Sequence, residues 1–300
     1  MLLALVGGVS CGDIEPEDDT DVQLDDSYGE TAPGEMVNVE AGPFKMGSEA
    51  QDPSFSFDQP DQAGFTDERP RRIVTLSAFR IDRTEVTNAQ YRACVADGAC
   101  ADPVLPASRT RPRYYIEGLY NDFPVVAVTW DQAAAYCAWA GKRLPTEAEW
   151  ERAARGNTDT RAYPWGERDA DCTLANIAVP IDEAVDDGTG DVDYDRVDNC
   201  KIDTTSVTDF AYAPSPAGAL NMTGNVAEWV ADFYASDYYD SVAHPDNRRN
   251  PTGPETGRRR VVRGGSFGSP AMTARVTFRE SRLPTSHSTD IGFRCAADGE

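Results

Sequence analysis

The sequence predicts a mixed α+β domain with little regular secondary structure. Two stretches, 36–46 and 72–80, alternate apolar and polar residues and carry many β-branched side chains, as strands do. Three short segments carry helix-capping signals. Most of the remaining chain is rich in Pro, Gly, Asp and Asn, which favour turns and loops. The sequence shows no internal repeat.

Three helices are predicted, over residues 88–96, 131–140 and 147–154. Thr87 precedes the first as its N-cap, and Gly141 ends the second. Thr146 and Glu149 have the spacing of a capping box, so they open the third helix.

Composition restricts the possible functions. The chain has 300 residues, of which 40% are hydrophobic, with five Trp, twelve Tyr and eleven Phe, so a folded core is expected. The formal charge is -23 at pH 7. Nucleic acid is excluded as a partner because its phosphates would be repelled over most of the surface. A divalent cation suits this charge better.

The N-terminal segment, residues 1–11, is apolar and ends at Cys11. It is too short to span a bilayer as a helix, but it suits the core of a secretion signal. The small residues before Cys11 resemble a bacterial lipobox. We therefore predict a lipoprotein of the cell envelope, periplasmic or surface-exposed, that is joined to the membrane by acylated Cys11. An ordinary cleaved signal and a buried apolar strand are the alternatives.

Two acidic stretches flank parts of the predicted domain. Residues 12–35 hold many acids and almost nothing to bury, so we predict a disordered, extended tether. The second stretch, about 181–199, is predicted to be a surface insertion. An EF-hand calcium loop there would need Gly and Glu at the positions of Arg196 and Ile202.

Six cysteines remain when Cys11 is set aside, and none forms a CxxC motif. Three disulfides are predicted, but six cysteines allow 15 pairings, so these residues alone do not fix the pairing. Cys94 and Cys100 flank a short turn-forming loop, and Cys172 and Cys200 bracket the acidic insertion. Buried free thiols are the alternative.

Several motifs occur in one order along the chain. They are Met46–Ser48, Ile81–Tyr91, Pro124–Trp130, Tyr136–Glu151, Tyr163–Gly166, Gly224–Trp229, Arg263–Phe267 and Gly292–Ala297. Together they resemble the sulfatase-modifying factor domain of formylglycine-generating enzymes. The resemblance implies a C-type-lectin-like fold over about residues 36–298 and a disulfide between Cys137 and Cys295.

The resemblance also implies a structural calcium ion. Its ligands would be the Asn221 and Glu228 side chains and the Gly224 and Val226 carbonyl oxygens. An oxygen-only set with one carboxylate suits this hard cation. The alternative is that Asn225 and Glu228 only hydrogen-bond to loops and helix ends.

A second calcium site of the family would use Asn176 and the carbonyl oxygen of Ile177. Its remaining ligands should lie near Asn199, where the usual acidic-Gly-aromatic pattern is missing. This second site is therefore the less complete of the two.

The family's reaction needs thiols that this segment does not contain. The resemblance implies oxidation of a sulfatase cysteine by dioxygen at Cu(I), a soft ion held by two thiolates. No cysteine lies between Cys200 and Cys295, so copper is not expected and no catalytic residue is assigned. Ser266 stands where the family has an active-site serine.

Other catalytic centres are equally poorly supported. The related iron-dependent sulfoxide synthases need three histidines, and only His244 and His287 exist here. A hydrolase built from Ser266, His287 and Asp290 would lack a nucleophile elbow.

Two functions follow from these observations. The first is a non-catalytic module that binds a protein or glycan at the cell envelope or has a structural role there. The alternative is an oxidase of the formylglycine-generating type with a divergent metal centre. The missing thiols favour the first.

Overall fold

The computed structural model describes residues 34–49, 62–157, 160–180, 197–241 and 248–299. All of them belong to one unit, Ala32–Glu300. The predicted signal, the lipidation at Cys11, most of the acidic tether and residues 181–196 of the insertion lie outside the described residues.

The α-helices among the described residues are α1 (Asn88–Ala96), α2 (Trp130–Trp139), α3 (Glu147–Arg155) and the short α4 (Tyr238–Ser241). The first three begin with reciprocal capping boxes. In the first three, a Thr hydroxyl caps a backbone N–H three residues on, and a Gln or Glu side chain reaches back to the Thr N–H. The three predicted helices are therefore present, with bounds that differ by at most one residue at either end.

The strands are short and form four small sheets. They are β1 (Met36–Val39), β2 (Gly42–Met46), β3 (Arg72–Leu76), β4 (Phe79–Asp82), β5 (Ala178–Pro180), β6 (Val197–Asn199), β7 (Ala227–Phe233), β8 (Arg260–Arg263), β9 (Glu280–Arg282), β10 (Ile291–Phe293) and β11 (Ala296–Asp298). Among the described residues the sheet orders are β1-β4-β11, β10-β7-β8-β9, β2-β3 and β5-β6, and of these strand pairs only β10 and β7 are parallel.

Each predicted strand stretch is divided between two sheets. The stretch 36–46 becomes β1 and β2, and 72–80 becomes β3 and β4. Because β1 pairs with β4 while β2 pairs with β3, the chain changes sheets twice. Alternation indicates a strand but does not show where its partner changes. At the end of the predicted insertion, residues 197–199 form β6 against β5.

The core has two main parts. One packs Trp150 of α3 against Phe44, Val74 and Ile81 of the N-terminal strands. The other packs Tyr91 and Tyr136 of α1 and α2 against Trp229 and Phe293, next to the Cys137–Cys295 disulfide. Strand β7 joins the two parts, because Val230 belongs to the first and Trp229 to the second.

Helix α3 is buried along its whole length although five of its nine residues are charged. Its acids pair with arginines, and we call this group the α3 ion-pair network: Glu147, Glu151, Arg155, Arg263 and Arg279. Arg263 Nη2 lies 2.7 Å from Glu151, Arg155 Nη1 lies 2.9 Å from the same carboxylate, and Arg279 Nε lies 2.7 Å from Glu147. Burial raises the pKa of Glu147, but the charges of Arg279 and Arg263 outweigh it and hold that pKa below its ordinary value.

Candidate functional site

The segment after β8 makes a tight turn that brings a serine into the interior. Gly264 and Gly265 have φ of 88° and 66°. A Cβ on Gly265 would lie 2.9 Å from the carbonyl oxygen of Thr273, so a side chain there would collide with the backbone. Ser266 follows and is 2% exposed.

Ser266 belongs to a group that we call the hydroxyl–carboxylate cluster: Ser266, Ser269, Ser288 and Asp290. Ser266 Oγ donates to Asp290 Oδ2 at 3.3 Å, and Ser288 Oγ donates to the other oxygen of that carboxylate. Ser269 Oγ accepts from the Ser266 backbone N–H at 2.9 Å. The serine contacts Asp290 directly, whereas His287 is exposed, so the described contacts are not those of a Ser-His-Asp triad.

The next residue connects this cluster to two other loops. Phe267 is buried, and its ring lies 5.8 Å from the guanidinium of Arg109. With its amide oxygen turned toward Arg109, Asn199 accepts from Arg109 Nη1 at 2.9 Å and donates to the Phe267 carbonyl at 3.2 Å. The cluster therefore borders a surface formed by the 104–122 and 199–213 loops.

Of the predicted ligands of the first calcium site, Asn221, Gly224 and Val226 lie just before β7, and Glu228 lies in β7. Asn221 has φ of 54°, Gly224 has φ of 79°, and the loop packs so closely on Asn176 that a Cβ on Gly224 would collide with the Asn176 carbonyl oxygen. The side chains of Asn221 and Glu228 are buried. The loop is thus held by its own packing.

Glu228 already has a full set of hydrogen-bond donors. Arg294 Nη2 donates to Oε1 at 2.6 Å, Arg294 Nε donates to Oε1 at 3.0 Å and to Oε2 at 2.8 Å, and Trp150 Nε1 donates to Oε2 at 2.7 Å. A carboxylate offers about four lone-pair positions. A calcium ion at Glu228 would have to displace one of these donors and compete with the charge of Arg294, so the carboxylate does not fit a metal in this arrangement.

A second buried carboxylate, that of Glu85, is not hydrogen-bonded to an arginine. The sequence analysis did not identify it as a site residue. Glu85 accepts from Asn221 Nδ2 and from Asn225 Nδ2, both at 2.9 Å. We call Glu85, Asn176, Asn221 and Asn225 the amide network. Burial raises the pKa of Glu85 to about 7, and the nearby charge of Arg294 offsets only part of this rise. The sequence feature that could have indicated Glu85 is its position inside the Ile81–Tyr91 motif.

Asn176 completes the amide network and has an unpaired oxygen. Its Nδ2 donates to the Asp203 carbonyl at 3.0 Å and to Asn225 Oδ1 at 3.3 Å. Its Oδ1 is buried and has no hydrogen-bond partner. A buried orphaned oxygen suits a hard cation, so this residue of the second predicted site fits calcium.

The other expected parts of the second site have hydrogen-bond partners within the protein. The Ile177 carbonyl accepts from the Cys200 N–H at 2.9 Å. Asn199 faces Arg109 and Phe267. Among the described residues, no group of three or more His, Cys, Asp or Glu side chains is placed to hold a metal ion.

The six cysteines of the domain form the three predicted disulfides. The bonds join Cys94 to Cys100, Cys137 to Cys295, and Cys172 to Cys200. Three disulfides in one domain are typical of proteins that fold in an oxidising compartment. In the part of the chain that the structure covers, no helix has the length and apolar character needed to cross a membrane.

A groove of about 770 Å³ is lined by none of the residues of the hydroxyl–carboxylate cluster or the amide network. It is lined in part by Leu76, Trp130, Ala134 and Leu144. Arg143 at its rim is paired with Glu149 and Asp298. The groove and the serine cluster are therefore different places, and the resemblance of the sequence points only to the second.

The fold and the site define the class of protein. Few helices, several small sheets and long ordered loops surround the turn that carries Ser266. A model of the sulfatase-modifying factor enzyme 1-like domain matches residues 25–299. The chain belongs to this family.

Relatives agree over most of the chain. The formylglycine-generating enzyme of Thermomonospora curvata is 36% identical, with 88% of this chain and 93% of that protein covered. Among solved structures, PvdO from Pseudomonas aeruginosa has a TM-score of 0.61 at 27% identity, covering 89% of this chain and 95% of that chain. Treponema denticola variable protein 1 has a TM-score of 0.59 at 23% identity, covering 88% and 95%, and shows the fold alone. The predicted family and its C-type-lectin-like α+β fold are confirmed.

Proposed function

We propose that this protein is a non-catalytic member of its family that binds a protein or glycan, or has a structural role, at the cell envelope. The missing thiols carry this proposal. No cysteine lies between Cys200 and Cys295, and all six cysteines of the described residues are in disulfides. The two thiolates that would hold Cu(I) are therefore not supplied by this segment.

The hydroxyl–carboxylate cluster supports binding better than oxidation. Serine hydroxyls and a carboxylate are hard oxygen donors, which suit hydrogen bonding and do not stabilise Cu(I). Ser266 and Ser288 already share Asp290, so the serines are fixed in position. Ser266 is buried, but Ser269, Ser288 and Asp290 are half-buried, so a ligand at this place would meet side chains already fixed by hydrogen bonds.

The decisive experiment is an assay for formylglycine. The purified protein would be incubated with a Cys-x-Pro-x-Arg peptide, Cu(I), oxygen and reductant, and the aldehyde would be sought by mass spectrometry. The Thermomonospora curvata enzyme serves as positive control. No aldehyde is expected. Turnover by this protein would overturn the proposal in favour of the alternative, an oxidase with a divergent metal centre, and metal analysis would then identify the ion.

We further propose export and a lipid anchor at Cys11. The three disulfides support export, and the apolar segment that ends at Cys11 supports acylation. Full-length protein expressed in a bacterium should incorporate labelled palmitate and partition into detergent. The Cys11→Ser variant should do neither, and label retained by that variant would exclude the site.

Calcium is also proposed, as a structural ion in the amide network. The orphaned Asn176 Oδ1 supports it, and the ion would supply positive charge near Glu85, which has only amide donors. Calcium should then raise the melting temperature relative to chelator, because a ligand bound only by the folded state stabilises it.

Two matched variants test the location of the ion. The increase in melting temperature caused by calcium should disappear in Asn176→Ala. It should persist in Asn88→Ala, because Asn88 Oδ1 is also buried without a partner but belongs to α1. Equal melting of the wild type in calcium and in chelator would exclude a bound ion.

A further inference from the structure

Arg72 of β3 is a buried arginine that forms no ion pair with the described residues. It is 6% exposed, and its guanidinium lies 3.2 Å from the centroid of the Tyr239 ring. Arg72 Nη1 donates to the Pro70 carbonyl at 3.3 Å. Of the other six buried arginines in the described part of the chain, five pair with a glutamate: Arg155, Arg263, Arg275, Arg279 and Arg294. A buried charge is costly unless it is paired, so the exception calls for a partner.

The edge of Arg72 formed by Nε and Nη2 has no hydrogen-bond partner, and both atoms are buried. In other buried arginines this edge holds a carboxylate. Arg279 Nε and Nη2 donate to the two oxygens of Glu147 at 2.7 and 3.0 Å, and Arg294 holds Glu228 in the same way. Two parallel N–H donors match two oxygens of a planar oxyanion. Arg72 therefore presents a buried donor pair that suits such an anion.

Two buried hydroxyl groups near Arg72 also lack partners. Ser48 is 1% exposed and Tyr239 is fully buried, and neither Ser48 Oγ nor Tyr239 Oη has a hydrogen-bond partner. Burial raises the pKa of Tyr239, so its hydroxyl keeps its proton and can donate it. These side chains meet at the turn after β2. A Cβ on Gly47, which has φ of 85°, would lie 3.2 Å from both Arg72 Nη1 and the Tyr239 ring.

The glutamates near Arg72 are held by other arginines. Arg72 is close enough to Glu147 for their charges to interact, but Arg279 binds both oxygens of that carboxylate. Glu68, which follows the same course, binds Arg275 through both oxygens, at 2.7 and 2.9 Å. No described acceptor contacts Nε or Nη2 of Arg72. The positive charge of Arg72 is thus left without a carboxylate of its own.

Arg152 shows what distinguishes Arg72 from a merely unpaired arginine. Arg152 is 5% exposed, has no ion pair among the described residues, and lies 5.9 Å from the ring of Phe44. Its Nη2, however, donates to the Glu40 carbonyl at 3.3 Å, and only its Nη1 is buried without a partner. Arg152 therefore does not offer the Nε and Nη2 pair, and it serves as a matched control.

We propose that Arg72 binds a small planar oxyanion of the carboxylate class, held side-on by Nε and Nη2 beside the hydroxyls of Ser48 and Tyr239. Water could also accept from these donors, but it brings no charge to neutralise the guanidinium. Because the donors are buried, the anion has to be small. The site shares no residue with the hydroxyl–carboxylate cluster or the amide network, so it does not depend on the proposed function.

The test measures the melting temperature of the full chain while sodium formate replaces sodium gluconate at a constant sodium concentration. Both anions are carboxylates, but gluconate is too large for a buried site. The melting temperature should rise with formate concentration, because a ligand bound only by the folded state stabilises it. Arg72→Lys keeps the charge but loses the donor pair, so it should weaken formate binding about tenfold. Arg72→Met should abolish the rise.

Two controls separate this site from general effects of salt and of folding. Arg152→Met removes a buried arginine that lacks the donor pair, and the formate-dependent rise should persist in that variant. A crystal structure of the wild type grown in formate requires no variant to fold. It should show the anion on Arg72 Nε and Nη2.

Several results would overturn the proposal. They are equal melting in formate and gluconate, a formate-dependent rise that survives in Arg72→Met, or a rise lost equally in Arg152→Met. Water alone at Arg72 in the crystal would also overturn it. Formate seen in the crystal without a rise in melting temperature would be an adventitious additive only. Stabilisation by chloride and not by formate would replace the planar anion with a halide and refute the proposed class.

Discussion

The α3 ion-pair network and the amide network bury carboxylates in two different ways. In the first, each acid of α3 contacts at least one guanidinium, and Arg263 bridges Glu147 and Glu151. In the second, the side-chain donors to the Glu85 carboxylate are the amides of Asn221 and Asn225, and no described guanidinium forms an ion pair with it. Both regions are almost completely buried, so solvent does not account for the difference.

The difference shows which of the buried carboxylates are neutralised by a cation of the protein itself. A guanidinium brings a full charge and several donors, so an acid paired with it stays ionised without help. Amides bring only dipoles, so burial keeps the pKa of Glu85 high. The carboxylates of the first region are therefore neutralised by their own arginines, whereas Glu85 of the second is not. Glu228 belongs with the first group because Arg294 holds it.

The largest effect is expected from Arg263→Met. The variant leaves two buried acids with fewer partners and leaves the Val276, Thr277 and Phe278 carbonyls without their donor. Breaking a buried ion pair in this way costs about 3 to 5 kcal/mol. Urea denaturation should show a lower midpoint. A loss of unfolding free energy below about 1 kcal/mol would mean that Arg155 and Arg279 alone neutralise the acids of the network.

Glu228→Gln should destabilise the protein by about 3 kcal/mol, because it leaves Arg294 buried with an uncompensated charge. Since the counter-ion of Glu228 is an arginine, the loss should be equal in calcium and in chelator. Thermal unfolding under both conditions checks this. If Glu228→Gln lost stability only when calcium is present, Glu228 would be a ligand of the ion, as the family resemblance implies. Glu228 would then belong with the amide network.

Asp232 is an exception near the α3 network and gives a pH test. It accepts from the Glu147 N–H at 2.8 Å and forms no ion pair with the described residues. Burial, and then the charge of Glu147, raise the pKa of Asp232 well above its ordinary value of 3.8.

The sign of the effect follows from that shift. The folded state binds the proton of Asp232 more tightly, so its contribution is fully present below pH 3.8 and is lost as pH rises toward the folded pKa. The stability of Asp232→Asn relative to the wild type should therefore rise with pH, by at most about 1.4 kcal/mol per unit. Denaturation at several pH values between 4 and 8 would measure it, and a constant difference would contradict the shift.

The smallest effect is expected from Arg143→Met. Arg143 binds Glu149 at 2.7 Å and Asp298 at 2.8 Å, but its side chain is 40% exposed and that of Asp298 is 89% exposed. Solvent screens such pairs, so the loss should be at most about 1 kcal/mol. A loss of stability as large as that of Arg263→Met would show that the close contacts of Arg143 stabilise the fold despite their exposure to solvent.

The sequence alone was sufficient for features that depend on neighbours along the chain. Thr87 and Thr146 mark helix starts because the capping hydrogen bonds span three residues. The ordered motifs identified the family, and the empty stretch between Cys200 and Cys295 is a property of the chain itself. A short loop likewise favoured the Cys94–Cys100 pairing.

Only the tertiary structure decided which groups are partners across long distances. Arg294 meets Glu228 and Asn221 meets Glu85 over separations of 66 and 136 residues. No local pattern encodes such a meeting, because it depends on how the two cores pack around β7. The chain contains abundant acids, and their types alone do not distinguish a carboxylate held by arginine from one held by amides. That distinction is set by burial and by the positions of donors.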